Sequence, residues 1–327
     1  MDLLSQTLAS LRTGRPRVVH TTACAPWGLR FAPVAGAGFH LVLDGECWLV
    51  PPTGEPVRLG LGDLVFLRSG DGHGMADQPT TPLERFEPRR ADRTSPIGRL
   101  AIGGGGPRTV LLCGSYQLDQ VGPHPLLRGL PEVVRLAADS ARYVPLRTAV
   151  ELLRAEITWA QPGADAIVSA LVDALLVYIL RAWLAEQTAQ TRQQSQQQTR
   201  GPGSTCWTTA LADAAIGPAL RAIHTEPGHP WTVAGLGRQA GLSRAAFARR
   251  FTALVGETPL AYLTRWRMTV AGRLLRESEL SAQLVSEEVG YQSVPAFSRA
   301  FSRSYGRTPG QYRRERAAAA AAAAATE

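Results

Sequence analysis

The chain has 327 residues, 45% of them hydrophobic, which is material for two or three packed domains and excludes a disordered tail as its main content. Its 35 basic residues outnumber 27 acidic ones, for a net charge of +8, and this favours a polyanionic partner. Four widely spaced cysteines (Cys24, Cys47, Cys113, Cys206) without a C-x-x-C pair fit neither a disulfide framework nor a zinc knuckle, so a reducing, cytoplasmic setting is expected.

No run approaches the ~18 apolar residues of a membrane span, and no basic-then-apolar leader opens the chain, so no membrane role is expected. Residues 1–17 read as a helix carrying Leu3, Leu4, Leu8 and Leu11, running into the Gly14-Arg15-Pro16 break. From there to about Leu112 the texture is that of short strands. Phe39 to Leu43 alternates, with Phe39, Leu41 and Leu43 on one face. Asp44-Gly45 reads as a two-residue hairpin turn, and Glu46 to Val50 returns. Val57–Leu59 and Asp63–Leu67 follow, which predicts a small antiparallel barrel or jelly roll.

Gly62, Arg68, Gly70 and His73 resemble the second cupin motif, with Arg68 in place of its proline and Asp77 where the motif has asparagine. The first motif survives as His40 and Glu46, Val42 standing in for its second histidine. The Gly45-x-Cys47-Trp48 and Gly62-Asp63-Leu64-Val65 runs are similar to the cupin-type sensor found at the amino end of some transcription regulators. What the resemblance implies is a concave barrel holding a small effector, or one that only positions a dimer interface. His40, Cys24, Cys47, Trp48 and His73 are its candidate effector or redox residues. His40, Glu46 and His73 could offer three N/O ligands, as a metal-dependent cupin enzyme fused to a DNA-binding module would need. The reading adopted is that the chain is not an enzyme and uses no cofactor. Cys24 and Cys47 could sense oxidants if a thiolate is exposed near an arginine.

Residues 77–108, rich in proline and ending in Gly103 to Gly106, read as a mobile surface loop; no lysine follows the glycines, so they are no phosphate cradle. Val110–Cys113 reads as a last strand. Beyond Pro123-His124-Pro125 the period turns helical, over Leu146–Trp159 and Asp165–Ala185; the second helix is apolar on nearly all sides and needs several neighbours. This pair is the candidate homodimer contact. The Gln/Thr-rich tract that follows, ending in Gly-Pro-Gly, reads as a linker. Leu211, Ile216, Leu220 and Ile223 then form a leading helix.

Residues 231–316 contain one pattern twice. Ser243, Phe247, Phe251, Gly256, Thr258, Pro259 and Tyr262 return 50 residues later as Ser293, Phe297, Phe301, Gly306, Thr308, Pro309 and Tyr312. In each copy Thr232 or Ser281 caps a short helix, Val233–Ala240 or Ala282–Val289. Gly241 or Gly290 permits a left-handed turn, and Ser243 or Ser293 caps a second helix that buries its phenylalanines. Fourteen arginines against six acidic residues give this segment a net +8 and leave the rest of the chain neutral, the footprint of a phosphate-binding surface.

The segment resembles the DNA-binding domain of the AraC/XylS regulators. Ala240-Gly241-Leu242-Ser243, Arg250-Phe251 and Arg265-Trp266-Arg267-Met268 carry the likeness in the first copy, and Val289-Gly290-Tyr291-Gln292-Ser293, Ala296 to Phe301 and Gln311 to Arg314 in the second. The resemblance implies two helix-turn-helix units (about 232–255 and 281–305) joined by a long helix, about Leu260–Arg276. Their second helices would enter successive major grooves roughly 34 Å apart. The candidate DNA-binding residues are Ser243, Arg244, Ala245, Ala248 and Arg249, then Ser293, Val294, Ser298, Arg299 and Arg303.

The expected whole is α+β: a cupin-like β-barrel with flanking helices over 1–186 (the helical part about 125–186), a linker over 187–206, an all-α double helix-turn-helix domain over 207–316, and a poly-Ala tail over 317–327. The expected function is sequence-specific transcription regulation under an unknown effector or oxidant. Its expected partners are promoter DNA, a second copy of the chain, a small-molecule effector and, if it activates, RNA polymerase. Its expected place is the nucleoid.

Overall fold

A computed structural model describes all residues except 1, 15, 34–35, 69–71, 88–96, 119–123, 138–142, 160, 197–206 and 325–327. They divide into two compact units: residues 14–118 with 130–186, and residues 1–13, 119–129 and 187–327. The first is the barrel. Its strands are β1 (Arg17–Cys24), β2 (Gly28–Phe31), β3 (Ala37–Asp44), β4 (Cys47–Val50), β5 (Val57–Leu59), β6 (Leu64–Leu67), β7 (His73–Ala76), β8 (Glu84–Arg85), β9 (Ile97–Gly103), β10 (Arg108–Tyr116) and β11 (Val133–Leu136). They form a six-stranded sheet, β11-β6-β3-β10-β1-β9, and a five-stranded one, β5-β4-β7-β2-β8.

Alternation along β3 decides which side chains fill the barrel. Val42 joins Trp27, Cys47, Leu49, Val65, Met75, Leu111 and Cys113 in the core cluster. The alternate residues Phe39 and Leu41 are fully buried too, because two helices cover the outer face: α3 (Val144–Trp159) and α4 (Ala164–Gln196). The Tyr116 hydroxyl donates to the Val172 carbonyl of α4 at 2.8 Å and fixes that layer.

Several expectations are corrected here. Asp44-Gly45 does not close a hairpin, since β3 and β4 lie in different sheets; it is a corner from one sheet to the other. Residues 97–103 are no loop but β9, an edge strand parallel to β1, and β11 pairs with β6 where only helix was expected. Residues 164–189 of α4 are long and apolar enough to cross a membrane by length and composition. Val168, Val172, Leu175, Leu176, Ile179 and Leu180 are buried in the unit, however, as in a core helix. The linker tract is helical as far as Gln196.

The second unit is helical. It holds α1 (Leu3–Leu11), α2 (Pro125–Arg128), α5 (Trp207–Ala212), α6 (Ile216–Thr225), α7 (Val233–Gln239), α8 (Arg244–Val255), α9 (Pro259–Glu277), α10 (Ala282–Glu288), α11 (Val294–Tyr305) and α12 (Pro309–Ala324). The expected leading helix is two helices, broken where the Asp213 carboxylate caps α6 by accepting from the Ala215 and Ile216 N–H groups. The two short helices α1 and α2 belong to this unit. The poly-Ala stretch continues α12.

The duplicated turns are as the repeat predicts. Gly241 and Gly290 take φ of +65° and +76°. A Cβ on Gly241 would meet nothing within 4 Å, whereas one on Gly290 would lie 2.4 Å from the Gly228 carbonyl oxygen. Gly290→Ala should therefore cost more than the ~1 kcal/mol of left-handed backbone expected for Gly241→Ala, reaching about 2–3 kcal/mol. Equal melting temperatures for the two variants would refute the steric part of this account.

Candidate nucleic-acid interface

In each repeat the second helix is anchored by aromatic residues and presents the opposite face to solvent. Phe247 and Phe251 of α8 are fully buried, as are Phe297 and Phe301 of α11. Phe251 meets Tyr262 edge-on at 5.7 Å, and Phe301 meets Tyr312 in the same way at 5.4 Å, so each helix is braced against the one after it. Ser243 and Ser293 cap α8 and α11 by accepting from the Ala246 and Ala296 N–H groups. Those hydroxyl lone pairs are thus partly committed to the fold.

On the open face Arg244, Ala245 and Arg249 of α8 are exposed and Ala248 is half-buried; on α11, Arg299 and Arg303 are exposed, and Val294 and Ser298 are half-buried. Neighbouring arginines are tied down. Arg250 holds Asp213 with hydrogen bonds of 3.0 and 2.6 Å, and Arg265 holds Glu257 at 3.1 and 2.6 Å. Arg267 donates to the carbonyls of Pro227 and His229, and Arg313 to that of Leu280. Among the described residues Arg244, Arg249 and Arg299 make no hydrogen bond or ion pair. The arginine excess therefore splits into braces of the fold and free guanidinium groups on the two repeated helices, a division invisible in the count of charges.

Comparison with known proteins places both halves. A cupin family model matches residues 2–185, and a helix-turn-helix domain model matches residues 236–315. A putative AraC-like transcription regulator of Streptomyces lividans is 31% identical over 319 residues, covering 96% of this chain and 98% of that protein. The chain belongs to the AraC-like transcription regulators. The HTH-type transcriptional regulator AlkR of Acinetobacter baylyi is 29% identical over 324 residues, 96% of this chain and all of that protein. The RCS-specific HTH-type transcriptional activator RclR of Escherichia coli is 30% identical over 277 residues, 84% of this chain and 83% of that one. As an AraC-like regulator the chain binds DNA through its helix-turn-helix domain, and these relatives are regulators rather than enzymes.

The cupin half of this AraC-like regulator brings two of the three candidate metal ligands together. His40 of β3 and His73 of β7 face each other across the barrel with their Nε2 atoms 2.6 Å apart. Phe31 of β2 stacks on His73 at 4.9 Å and tilts against His40 at 4.8 Å. Burial, and for His40 also the facing imidazole, hold both rings neutral; His40 lies well below the usual histidine range and His73 falls to about 4. One imidazole N–H then donates to the lone pair of the other. Two nitrogens on one tetrahedral zinc, each about 2.1 Å from it, would stand roughly 3.4 Å apart, so this pair is too close to share an ion. Glu46 points away, exposed at the sheet corner and paired with Arg58. No group of three ligands exists among the described residues, and the residues present do not fit a metal centre.

The cysteines fare differently from expectation. Cys47 is buried, and burial together with Asp63 and Glu46 pushes its thiol up to about 12. It carries no thiolate and behaves as a small hydrophobe, which corrects its place among the redox candidates. Cys24 is half-buried on β1 and Trp48 half-buried on β4. Gly70 and Cys206 lie outside the described residues.

Proposed function

We propose that the chain reads promoter DNA sequence-specifically, with α8 and α11 entering successive major grooves. The observation that carries this is the set of unpaired guanidinium groups of Arg244, Arg249 and Arg299 on the solvent face of the duplicated helices, while neighbouring arginines are consumed by the fold. A free arginine fork suits the O6 and N7 acceptors of guanine. Ala245 and Ala248 suit methyl contacts with thymine, so α8 discriminates mainly through Arg244 and Arg249. On α11, Arg299 and Ser298 read bases, and Val294 and Arg303 flank them. Ser243 and Ser293, capping as they do, sit where helix N-termini meet phosphate.

The assembly proposed is a homodimer in the cytoplasm, at the nucleoid, meeting RNA polymerase if it activates. Its contact is the α3–α4 layer, where Val144, Leu152, Trp159 and Ile167 are exposed apolar residues; Trp159 is 74% exposed. The barrel interior around His40, His73 and Phe31 is the proposed effector site. His40 Nδ1 is buried there without a protein partner among the described residues, a polar atom that a small ligand could satisfy. For control by an oxidant, Cys24 is the part-exposed thiol among the described cysteines.

The experiment selects operators from a random duplex pool and measures affinity by fluorescence anisotropy, with stoichiometry from sedimentation. Arg249→Ala and Arg299→Ala should each weaken the selected site by about 1–3 kcal/mol and relax preference at one base pair in their own half of it. Arg250→Ala, which breaks a brace, should leave base preference alone. Retention of wild-type affinity and selectivity by both reading-face variants would reject the assignment, and a single chain per operator would reject the dimer.

A further inference from the structure

We propose that α1 and residues 124–129 are straps that grip opposite ends of α9 and so set the angle between the two reading helices. The inference rests on the DNA-reading function proposed above. It begins from the division of the chain: both segments belong to the sequence of the amino-terminal half, yet both pack within the helical unit.

The first strap holds the joint between α8 and α9. Gly256 ends α8, Thr258 begins α9, and Glu257 lies between them. One Glu257 carboxylate oxygen accepts from Arg265 on α9 and, at 3.1 Å, from Arg128 on the strap. Beside it the fully buried His124 lies edge-on to Tyr262 and Trp266 of α9 and to His224 of α6, with ring centroids 6.0–6.1 Å away. Its Nδ1 accepts the Leu126 N–H at 3.2 Å, so the ring proton sits on Nε2, which faces the Tyr262 hydroxyl at 3.4 Å. That hydroxyl is also hydrogen-bonded to His224 Nε2 at 2.5 Å. The Tyr262 ring abuts Phe251 of α8. A buried imidazole and a buried leucine make this a keyed insertion rather than a passing surface contact.

The second strap holds the other end. Arg276, in the last turn of α9, donates to the Tyr312 hydroxyl of α12 at 2.8 Å and to the carbonyls of Ser10 and Arg12 at 3.4 and 3.3 Å. Thr7, Leu8 and Leu11 of α1 are buried. A single guanidinium thus joins the last turn of α1 to the helix that braces the second repeat.

Each strap is continuous in the chain with a barrel strand: residues 129–132 join Arg128 to β11, and residues 12–16 join α1 to β1.

The test uses the full chain and an operator selected as above, with one base pair inserted between its two contacted grooves. The wild type should lose about tenfold or more in affinity on insertion; Arg128→Ala and His124→Ala should shrink that penalty to about threefold or less, within the range of ordinary coupling. Hydrogen exchange should quicken at residues 258–262 in both variants. Arg128 is part-exposed, so its variant stays folded even if His124→Ala does not. An unchanged insertion penalty in Arg128→Ala, with residues 124–129 exchanging faster, overturns the strap. A wild type that binds no duplex overturns the DNA-reading function first, and the strap's output with it.

Discussion

Phe297→Ala is expected to destabilise the helical unit by about 3–5 kcal/mol, the usual cost of emptying a buried aromatic site. The ring is wholly buried, with Tyr291 edge-on at 5.8 Å and Phe301 tilted against it at 5.7 Å, so little around it is free to collapse inward. Against the 5–15 kcal/mol of an ordinary domain, such a loss consumes much of the margin. Phe247→Ala should cost a similar amount, since Phe247 occupies the matching site of the first repeat and packs on Phe251 at 5.7 Å. The effect on DNA binding should be indirect. Once the protein is stabilised by excess operator, the base preference of the Phe297 variant should match the wild type, because no reading-face group is lost. Urea unfolding followed by circular dichroism gives the first number, and operator selection tests the second statement. A loss below 1 kcal/mol would mean that the repeat does not organise this unit.

The unequal legibility of the two halves has a physical cause. A helix-turn-helix is a local object: Thr232, Gly241, Ser243, Gly256 and Pro259 each act within a few residues, through caps and turns that one stretch of sequence spells out. Duplication doubled the signal, and the helix bounds agree with expectation to within about a residue. Strand pairing is not local. Nothing in Asp44-Gly45 says whether β4 turns back on β3 or crosses to another sheet; that depends on β7 and β5, which offer β4 its partners. β9 was hidden by the prolines before it and the glycines after it, and its parallel pairing with β1 joins residues some 80 positions apart. The straps were least legible. His124 sits in a Pro-His-Pro stretch that reads as a break, and only its burial against α9 gives the histidine a role. The reading face lay between these extremes. Its positions followed from the repeat, but which arginines are free required knowing that Asp213 takes Arg250 and Glu257 takes Arg265.

Acid should unfold this protein early, because three histidines, His40, His124 and His224, are buried in neutral form, and the half-buried His73 beside His40 is held neutral too. In the helical unit burial comes first and the Arg265 charge second; together they lower His224 to about 3, and His124 is likewise held well below its ordinary value. In the unfolded chain histidine titrates near 6.5. Between these values the unfolded state carries a proton that the folded state refuses, so stability rises with pH across the window and is lost as pH falls from about 6.5 toward 3. Each pH unit in that window costs about 1.36 kcal/mol per histidine, or roughly 2–3 kcal/mol for His224 alone by about pH 4.5. Hydrogen bonding reinforces the sign. His124 Nδ1 accepts the Leu126 N–H, so protonating that ring sets donor against donor. Urea midpoints measured from about pH 7.5 to 4.5 should therefore fall steeply. His224→Gln keeps a hydrogen-bonding partner for Tyr262 but cannot titrate, and it should flatten the slope by about one proton's worth. An unchanged slope in that variant would mean that His224 takes up its proton without resistance, and that the chain from His124 through Tyr262 to His224 does not hold as described.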